Sequence, residues 1–529
     1  MTRWLWPLFA LAVPPALAQQ GFLPLSRTVD GPWTALMHRS DVFAQSSIRP
    51  YLREDLINLP GADSVTPPAA WPWLQRLANP ANRWHGGPLA DALAGPSLAE
   101  RDAFKYRAGA GAWLEWNATP RWTLEADLQG WSEQLPDYLD RYAAFQGVVP
   151  GEGAPTWSGS AANHYAWSGY ADYKAGSYFH LTLGKGQNFF GEGYRSLLLG
   201  DEATSYPYFR ITTTAWHIRY VNLYALMRNT PVASNPYPGP EKKFTSMHYL
   251  SWNISKRVNA GFFDAVVWQD NDPKYPRGFD LSYVNPVIFL RPVEYGLGSP
   301  DNMLMGAALN VKVGRNTLLY SQLILDEFLL NHVRAMDGWY ANKQGVQAGA
   351  VAHNAFRRPG LTLRAEVNYA RPFIYTHSDS RQNYAHYGQP LAHPYGADFL
   401  EGLLQAEWRK GPWLVENVFS WCLMGQDTTL GAGGNNGNNI FLTDSNRPLL
   451  PNGKPKDLDY RLGDPVQVPV VQNELRAGRL VEPRSGLMLE LAWTFRSEAM
   501  PGGAVHVTNY LRMGLAANLH QRHPFQTVR

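Results

Sequence analysis

From about residue 106 onward, segments of roughly ten residues alternate strictly between apolar and polar side chains, separated by clusters of Gly, Pro, Asn and Asp. Successive side chains of a strand point to opposite faces, so a period of two specifies strands with one greasy and one polar face. In RWTLEADLQGW, Trp122, Leu124, Ala126 and Leu128 are apolar, whereas Thr123, Glu125, Asp127 and Gln129 are polar. LTLRAEVNY repeats the pattern, with Leu361, Leu363, Ala365, Val367 and Tyr369 against Thr362, Arg364, Glu366 and Asn368. LMLELAWTFR does so again, from Leu487 to Arg496.

Alternation alone fits a soluble β-sandwich as well as a membrane barrel. Three further features favour the barrel. Short links such as Thr119-Pro120 and Gly314-Arg315-Asn316 alternate with long ones at 132–163, 229–244, 376–398 and 426–460, as periplasmic turns alternate with extracellular loops. Aromatic residues make up 13% of the chain, with 20 Trp and 27 Tyr, and charged residues only 17%, so many rings need an interface. The first eighteen residues, MTRWLWPLFALAVPPALA, place Arg3 before an apolar run and end in a small-x-small pattern, predicting a signal peptide cleaved before Gln19. The expected fold is therefore all-β, a transmembrane antiparallel β-barrel over residues 106–529, closed because an open edge in lipid strands its backbone groups. Its destination is the outer membrane, in contact with outer-membrane lipid.

Residues 19–105 differ. Pro-rich pieces such as LPGADSVTPPAAWPW sit among stretches of helical character at Trp33 to Val42 and Ser97 to Phe104, which predicts a periplasmic or lumen-packed N-terminal segment. The single cysteine, Cys422, has no intramolecular disulfide partner. A net charge of +3 without a clustered basic face argues against nucleic acid. GAGGNNGNN at 431–439 reads as a flexible loop tip.

GKGQNFFGEGYRSLLLGDEA (184–203) raises the question of a nucleotide loop. Glu192 follows Gly191 where a P-loop needs Lys, and Phe189 and Ser196 stand where a dinucleotide fingerprint needs a third small residue. Both readings fail. Together with HRSDVFAQSSIRPY (38–51), RGFDLSYVNPVIFLRPVEYGLGSPDNMLMG (277–306), ANKQGVQAGA (341–350) and NYAHYGQPLAHPYGADF (383–399), this stretch resembles the Wzi-type family of outer-membrane capsule assembly proteins. Glu192 and Gly200 depart from the family pattern, which has Pro or Asn and Ser there. The resemblance implies a barrel of about 18 strands, a small helical N-terminal portion, an obstructed lumen and a lectin-like role holding capsular or other surface polysaccharide. The glycines then serve a tight fold at the rim or inside the lumen.

Charges of lumen-facing parity occur in both signs, among them Glu115, Glu125, Asp127, Lys312, Glu407, Arg409, Glu490 and Arg496, favouring a neutralised network over an ion filter. Arg195 in YRSL, and Arg291 with Glu294 in RPVE, are assigned to that structural network, with Asp201, Asp280, Asp301, Asp326 and Glu327 as partners by type. The run Tyr384, His386, Tyr387, His393 and Tyr395 suits a glycan-contacting loop, since rings stack on sugars and His bonds hydroxyls; the same residues could instead fold as a plug. The spacing of His377, His386 and His393 is unlike zinc motifs, so no metal or other cofactor is expected. No Gly-x-Ser-x-Gly elbow stands out, so a non-enzyme is expected, with a porin-like channel or an outer-membrane hydrolase as alternatives, and a monomer favoured.

Overall fold

The computed structural model describes residues 21–526 except 66–71, 78, 80, 81, 101, 102, 230–240, 272–277, 291, 294, 295, 297–300, 429–432 and 501. The signal-peptide reading of 1–18 lies outside the described residues. Alternation closes into one antiparallel barrel of eighteen wall strands. They are β1 Trp84–Pro96, β2 Phe104–Thr119, β3 Trp122–Glu133, β4 Ala161–Ala175, β5 Phe179–Gly186 and β6 Tyr206–Ala215. There follow β7 Ile218–Asn229, β8 Glu241–Asn253, β9 Val258–Gln269, β10 Asn302–Val313, β11 Thr317–Leu325 and β12 Gln344–His353. The circuit ends with β13 Leu361–Ala370, β14 Phe399–Lys410, β15 Trp413–Gln426, β16 Val466–Glu482, β17 Leu487–Ala499 and β18 Val505–Ala516. Ala92–Ala94 of β1 pair with Met513–Leu515 of β18 to close it.

The distribution of side chains is inside-out relative to a soluble sandwich. Leu128, Leu183, Val367, Leu404, Leu489 and Met513 are exposed on the outer face, while Thr123, Gln129, Glu366, Asn368, Glu490 and Arg496 are buried on the inner one. Such a surface is stable only against hydrocarbon, so the fold is that of an outer-membrane barrel. Short turns at 120–121, 216–217, 254–257, 314–316 and 411–412 mark the periplasmic end, where the wall also begins at Trp84 and ends at Ala516.

The sequence boundary at 105/106 requires correction, because the wall begins at Trp84. Gly86, Gly87 and Pro88 obscure the strand signal, and Pro88 is tolerated in the part of β1 that pairs with β2 alone. The described residues 97–100 and 103, between β1 and β2, are not helical, while the first helix spans Arg27–Met37. The expected flexible tip is also overturned over its described part. Asn435 donates to the Thr443 carbonyl (2.8 Å), Asn438 donates to Asp427 (3.0 Å), and both are buried.

The lumen is filled from both ends. From the periplasmic side come residues 21–58 and the tail 517–526; from the wall comes 187–205; from outside comes 371–398. Leu197, Leu198 and Leu199 form an apolar centre with Phe190, Tyr375 and Tyr384, all without exposure. Wall charges are neutralised partly by one another, as in Arg409–Glu407 and Arg476–Glu416 (each 2.7 Å), and partly by these insertions. Lys312 donates to the carbonyls of Met37 (2.6 Å), Arg39 (3.2 Å) and Val42 (2.9 Å) where the first helix ends. Arg53 meets Glu115, and Arg522 donates to both oxygens of Glu490 at 2.8 Å.

One segment runs on the other side of the wall. Tyr283 and Leu290 pack with Val266, Trp268 and Met303, whose parity is outward. This strap shields polar outer-wall groups: the His248 ring bonds Asp264 (3.1 Å), Leu290 N–H donates to Asp264 (2.9 Å), and Ser246 donates to the Tyr283 carbonyl (2.8 Å). Two members of the expected lumen network are thereby misplaced. Asp280 caps the turn Leu281–Val284 of the strap by accepting from Ser282 N–H, and buried Asp301 accepts from the Tyr283 hydroxyl (2.6 Å) and Gln382 (3.2 Å) at the rim. The sequence gives no sign that this connection folds outside the barrel. Arg291 and Glu294 lie outside the described residues.

Candidate functional site: the plugged lumen and its extracellular cap

Segment 187–205 leaves the wall after β5 and crosses the lumen before returning as β6. Gly191, at φ +131°, allows the turn, and a Cβ on Gly200 would collide with the Ala392 carbonyl, so the two plug segments touch only because that residue is glycine. Glu192 has a local reason too: it accepts from Ser46 (2.6 Å) and bonds His38 (3.0 Å), tying the N-terminal segment to the plug. Glu366 of the wall accepts the backbone N–H groups of Tyr194 (2.7 Å) and Arg195 (3.1 Å).

Arg195 is the hub. Its guanidinium lies 2.7 Å from Glu202 and 3.6 Å from Glu401. Glu401 bonds His393 (2.7 Å) and accepts from Ser420 (2.7 Å); Glu202 bonds His523 (2.7 Å) and accepts from Gln526 (3.2 Å). Arg27 adds Asp201 at 3.2 Å and lies over the Tyr194 ring. Arg195 thus sits among buried carboxylates, while Asp201, expected as a partner by type for Arg195 or Arg291, pairs instead with Arg27. Glu401 and His523 were missed, since nothing local marks residues more than 200 positions apart as neighbours; Glu202, only seven residues from Arg195, was missed within the same stretch.

Burial raises the pKa of Glu202, but the charges of His523 and Arg195 outweigh it and hold the carboxylate below its usual range. Burial lowers that of His523, yet Glu202 prevails and raises it. Glu202 therefore stabilises the docked tail fully above its ordinary value of 4.5, and loses this as pH falls through the depressed value. His523 contributes fully below 6.5 and loses its share as pH rises through the raised value. Amide exchange or proteolysis of 517–526 is expected to be slowest between these limits. Protection greater at pH 9 than at pH 6 would contradict the pairing.

The aromatic run at 384–395 is a plug rather than a solvated loop. Tyr384, His386, His393 and Tyr395 are buried; the Tyr384 hydroxyl donates to the Leu198 carbonyl (2.8 Å), and Tyr395 N–H to His393 (3.2 Å). Tyr384 and Tyr395 belong to the apolar centre of the lumen. Burial, then the charges of Lys243 and Lys185, push His386 down to about 3, matching its role as acceptor from Arg228 N–H (3.0 Å). Only Tyr387 is half-exposed. His377, His386 and His393 do not form a ligand group among the described residues. Two other buried groups, Glu133–Glu152–His164 and Asp201–Glu202–His523, have metal-ligating types, but Arg107 bridges Glu133 (2.9 Å) and Glu152 (2.6 Å), and Arg27 and Arg195 occupy the second.

At the extracellular end, the connection from β11 to β12 presents half-buried Trp339 and Tyr340. Trp339 stacks on His332 (4.5 Å), and Arg447 lies 3.4 Å from the Tyr340 ring centre while pairing with Asp457 (2.9 Å). These rings escaped notice although they adjoin the ANKQGVQAGA stretch. As for hydrolysis, Ser246, His248 and Asp264 bring nucleophile-triad types to one outer face, but the Ser246 hydroxyl is committed to the Tyr283 carbonyl, not to His248.

Fold and site together define a plugged eighteen-stranded outer-membrane barrel. Among solved structures it shares its fold with Wzi, an outer-membrane protein involved in group 1 capsule assembly in Escherichia coli and described as a carbohydrate-binding β-barrel. Identity is 13%, coverage 93% of this chain and 98% of that one, and the TM-score 0.57. OccK8 (OprE) of Pseudomonas aeruginosa aligns at 8% identity over 81% and 96% of the two chains (TM-score 0.41), and OccAB1 of Acinetobacter baumannii at 10% over 82% and 96% (TM-score 0.42). No protein-family model and no curated protein sequence matches the chain.

Proposed function

We propose that this barrel is a non-catalytic cell-surface lectin that helps hold capsular or other surface polysaccharide on the outer membrane. The observation that carries the reading is the lumen packed from both ends: a lumen filled by Leu197–Leu199, Tyr375 and Tyr384 leaves the extracellular cap, not a pore, as the working surface. The likeness to the carbohydrate-binding Wzi barrel supports it. Trp339 and Tyr340 are the contacts we assign, since half-buried rings stack on the apolar faces of sugars and are held rigid by His332 and Arg447. They take over the role expected of the buried 384–395 group.

Comparing cell-bound with released polysaccharide in a deletion strain tests this. Release into the medium with synthesis intact is expected; unchanged attachment with reduced solute uptake would indicate a channel, and altered glycan or lipid chemistry a hydrolase. Trp339→Ala and Tyr340→Ala should each weaken retention by on the order of 1 kcal/mol, about fivefold, at unchanged barrel yield. Retention equal to wild type in the double variant would remove these rings from the site.

A further inference from the structure

The wall is incomplete in its extracellular half. On the β5 side, β4 is paired with β5 only from Gly169 to Ala175, and with the short strand Thr156–Ser158 only at 161–163. Its edge at 164–168 therefore lacks a strand partner there. Across the gap, β7 pairs with β6 only up to Ala225. The break arises because the chain turns inward after Gly186 to build the plug.

Plug residues and one lysine fill the breach incompletely. The tip of the 385–390 hairpin caps the β7 edge, with Arg228 N–H donating to His386 (3.0 Å) and Tyr387 N–H to the Arg228 carbonyl (2.7 Å). On the β4 edge, Lys185 donates to the Trp167 carbonyl (3.2 Å), and its ammonium lies 4.1 Å from the centre of the Trp167 ring. Residues 179, 181, 183 and 185 share outward parity, so this cation stands on the lipid side of the barrel.

A cavity of about 1020 Å³ opens at the breach and continues down the outer wall. Its upper part is lined by Tyr165, Trp167, Lys185, Arg228, His386 and Tyr387; its lower part by Leu114, Leu124, Ala126, Gly169, Ala171 and Leu183. The register explains the trough: Ala126 faces Gly169, and Leu124 faces Ala171, so small side chains form a floor between the Trp167 level and the Trp116 level. Four residues separate those levels, about 13 Å of strand at ~3.3 Å per residue. The two acids on the lining are already engaged from the lumen side, Glu152 by Arg107 (2.6 Å) and Glu125 by Arg53 (3.4 Å).

An apolar trough below, and a cation with stackable rings above, match an amphiphile of the outer leaflet. We propose that this lateral notch seats a phosphorylated, multiply acylated sugar: acyl chain in the Ala126–Ala171 trough, phosphate against Lys185, sugar face against Trp167 or Tyr387. Sugar rather than glycerol is favoured because aromatic faces flank the cation. The site is distinct from the extracellular cap.

The test is native mass spectrometry of the full-length protein in lipid nanodiscs, titrated separately with a diphosphorylated acylated glucosamine disaccharide, its dephosphorylated form, and phosphatidylglycerol. One diphosphorylated glycolipid should be retained, with the other two at least fivefold weaker. Lys185→Gln should weaken retention about fivefold, as expected for one cation facing an anionic headgroup, and Lys185→Arg should restore it. Ala126→Leu, which fills the trough from a lipid-exposed position and leaves heat-modifiability unchanged, should weaken it as well. Equal retention of phosphatidylglycerol, or undiminished glycolipid retention in both Lys185→Gln and Ala126→Leu, overturns the proposal.

Discussion

Arg195→Ala is expected to convert a sealed barrel into a conducting one. The wild-type protein in planar bilayers should show no large, stable, porin-like conductance, because three chain segments meet at the centre of the lumen. Arg195 is the shared cation of Glu202, on the crossing segment, and Glu401, on the wall, and it packs against Phe525 of the tail. Removing one partner of a buried ion pair leaves an uncompensated charge and costs about 3 to 5 kcal/mol. Here two carboxylates lose their common partner, and each keeps only a histidine and neutral donors. The plug should yield before the wall, since the strand ladder does not depend on Arg195. We therefore expect stepwise conductance and faster proteolysis of 187–205 in the variant, with heat-modifiability of the barrel retained. A silent Arg195→Ala variant, or a wild-type protein with open-pore conductance, would refute this view of the lumen.

The second large effect is expected at Tyr384. Its ring is fully buried in the apolar centre, lies 5.8 Å from that of Tyr375, and its hydroxyl donates to the Leu198 carbonyl. Truncation of a core aromatic costs about 3 to 5 kcal/mol through lost burial and the cavity left behind. Tyr384→Ala should lower the yield of folded barrel, measured as the heat-modifiable fraction on unboiled gels. Tyr387→Ala, half-exposed one turn later, should change stability by less than about 1 kcal/mol. From sequence, both rings belonged to one connection that suited either a glycan-contacting loop or a plug; burial puts Tyr384 in the plug. Equal yields for the two variants would show that the 384–395 segment is not part of the core.

Much of the wall was legible beforehand. A period of two assigns each side chain to one of two faces by local geometry alone, so Glu125, Glu366 and Glu490 could be placed inward and Leu124, Val367 and Leu489 outward without knowing any partner. Turn chemistry and loop length likewise separated the two ends. β1 escaped because Gly86, Gly87 and Pro88 carry strand-breaking chemistry that only its one-sided pairing accommodates.

Parity names a face but not what covers it. Nothing near residue 384 tells that its loop turns inward onto Leu198, nothing near 283 that its segment turns outward onto Val266 and Trp268, and nothing near 523 that the tail reaches Glu202. Those choices depend on which distant groups would otherwise be stranded: lumen carboxylates need cations, and polar outer-wall groups such as Asp264 need shelter from lipid. The sequence by itself determined a closed, inside-out sheet, because alternation is a local property of the backbone. Only the tertiary structure decided where the barrel is plugged, strapped and breached, because each depends on burying charges and rings hundreds of residues apart against one another.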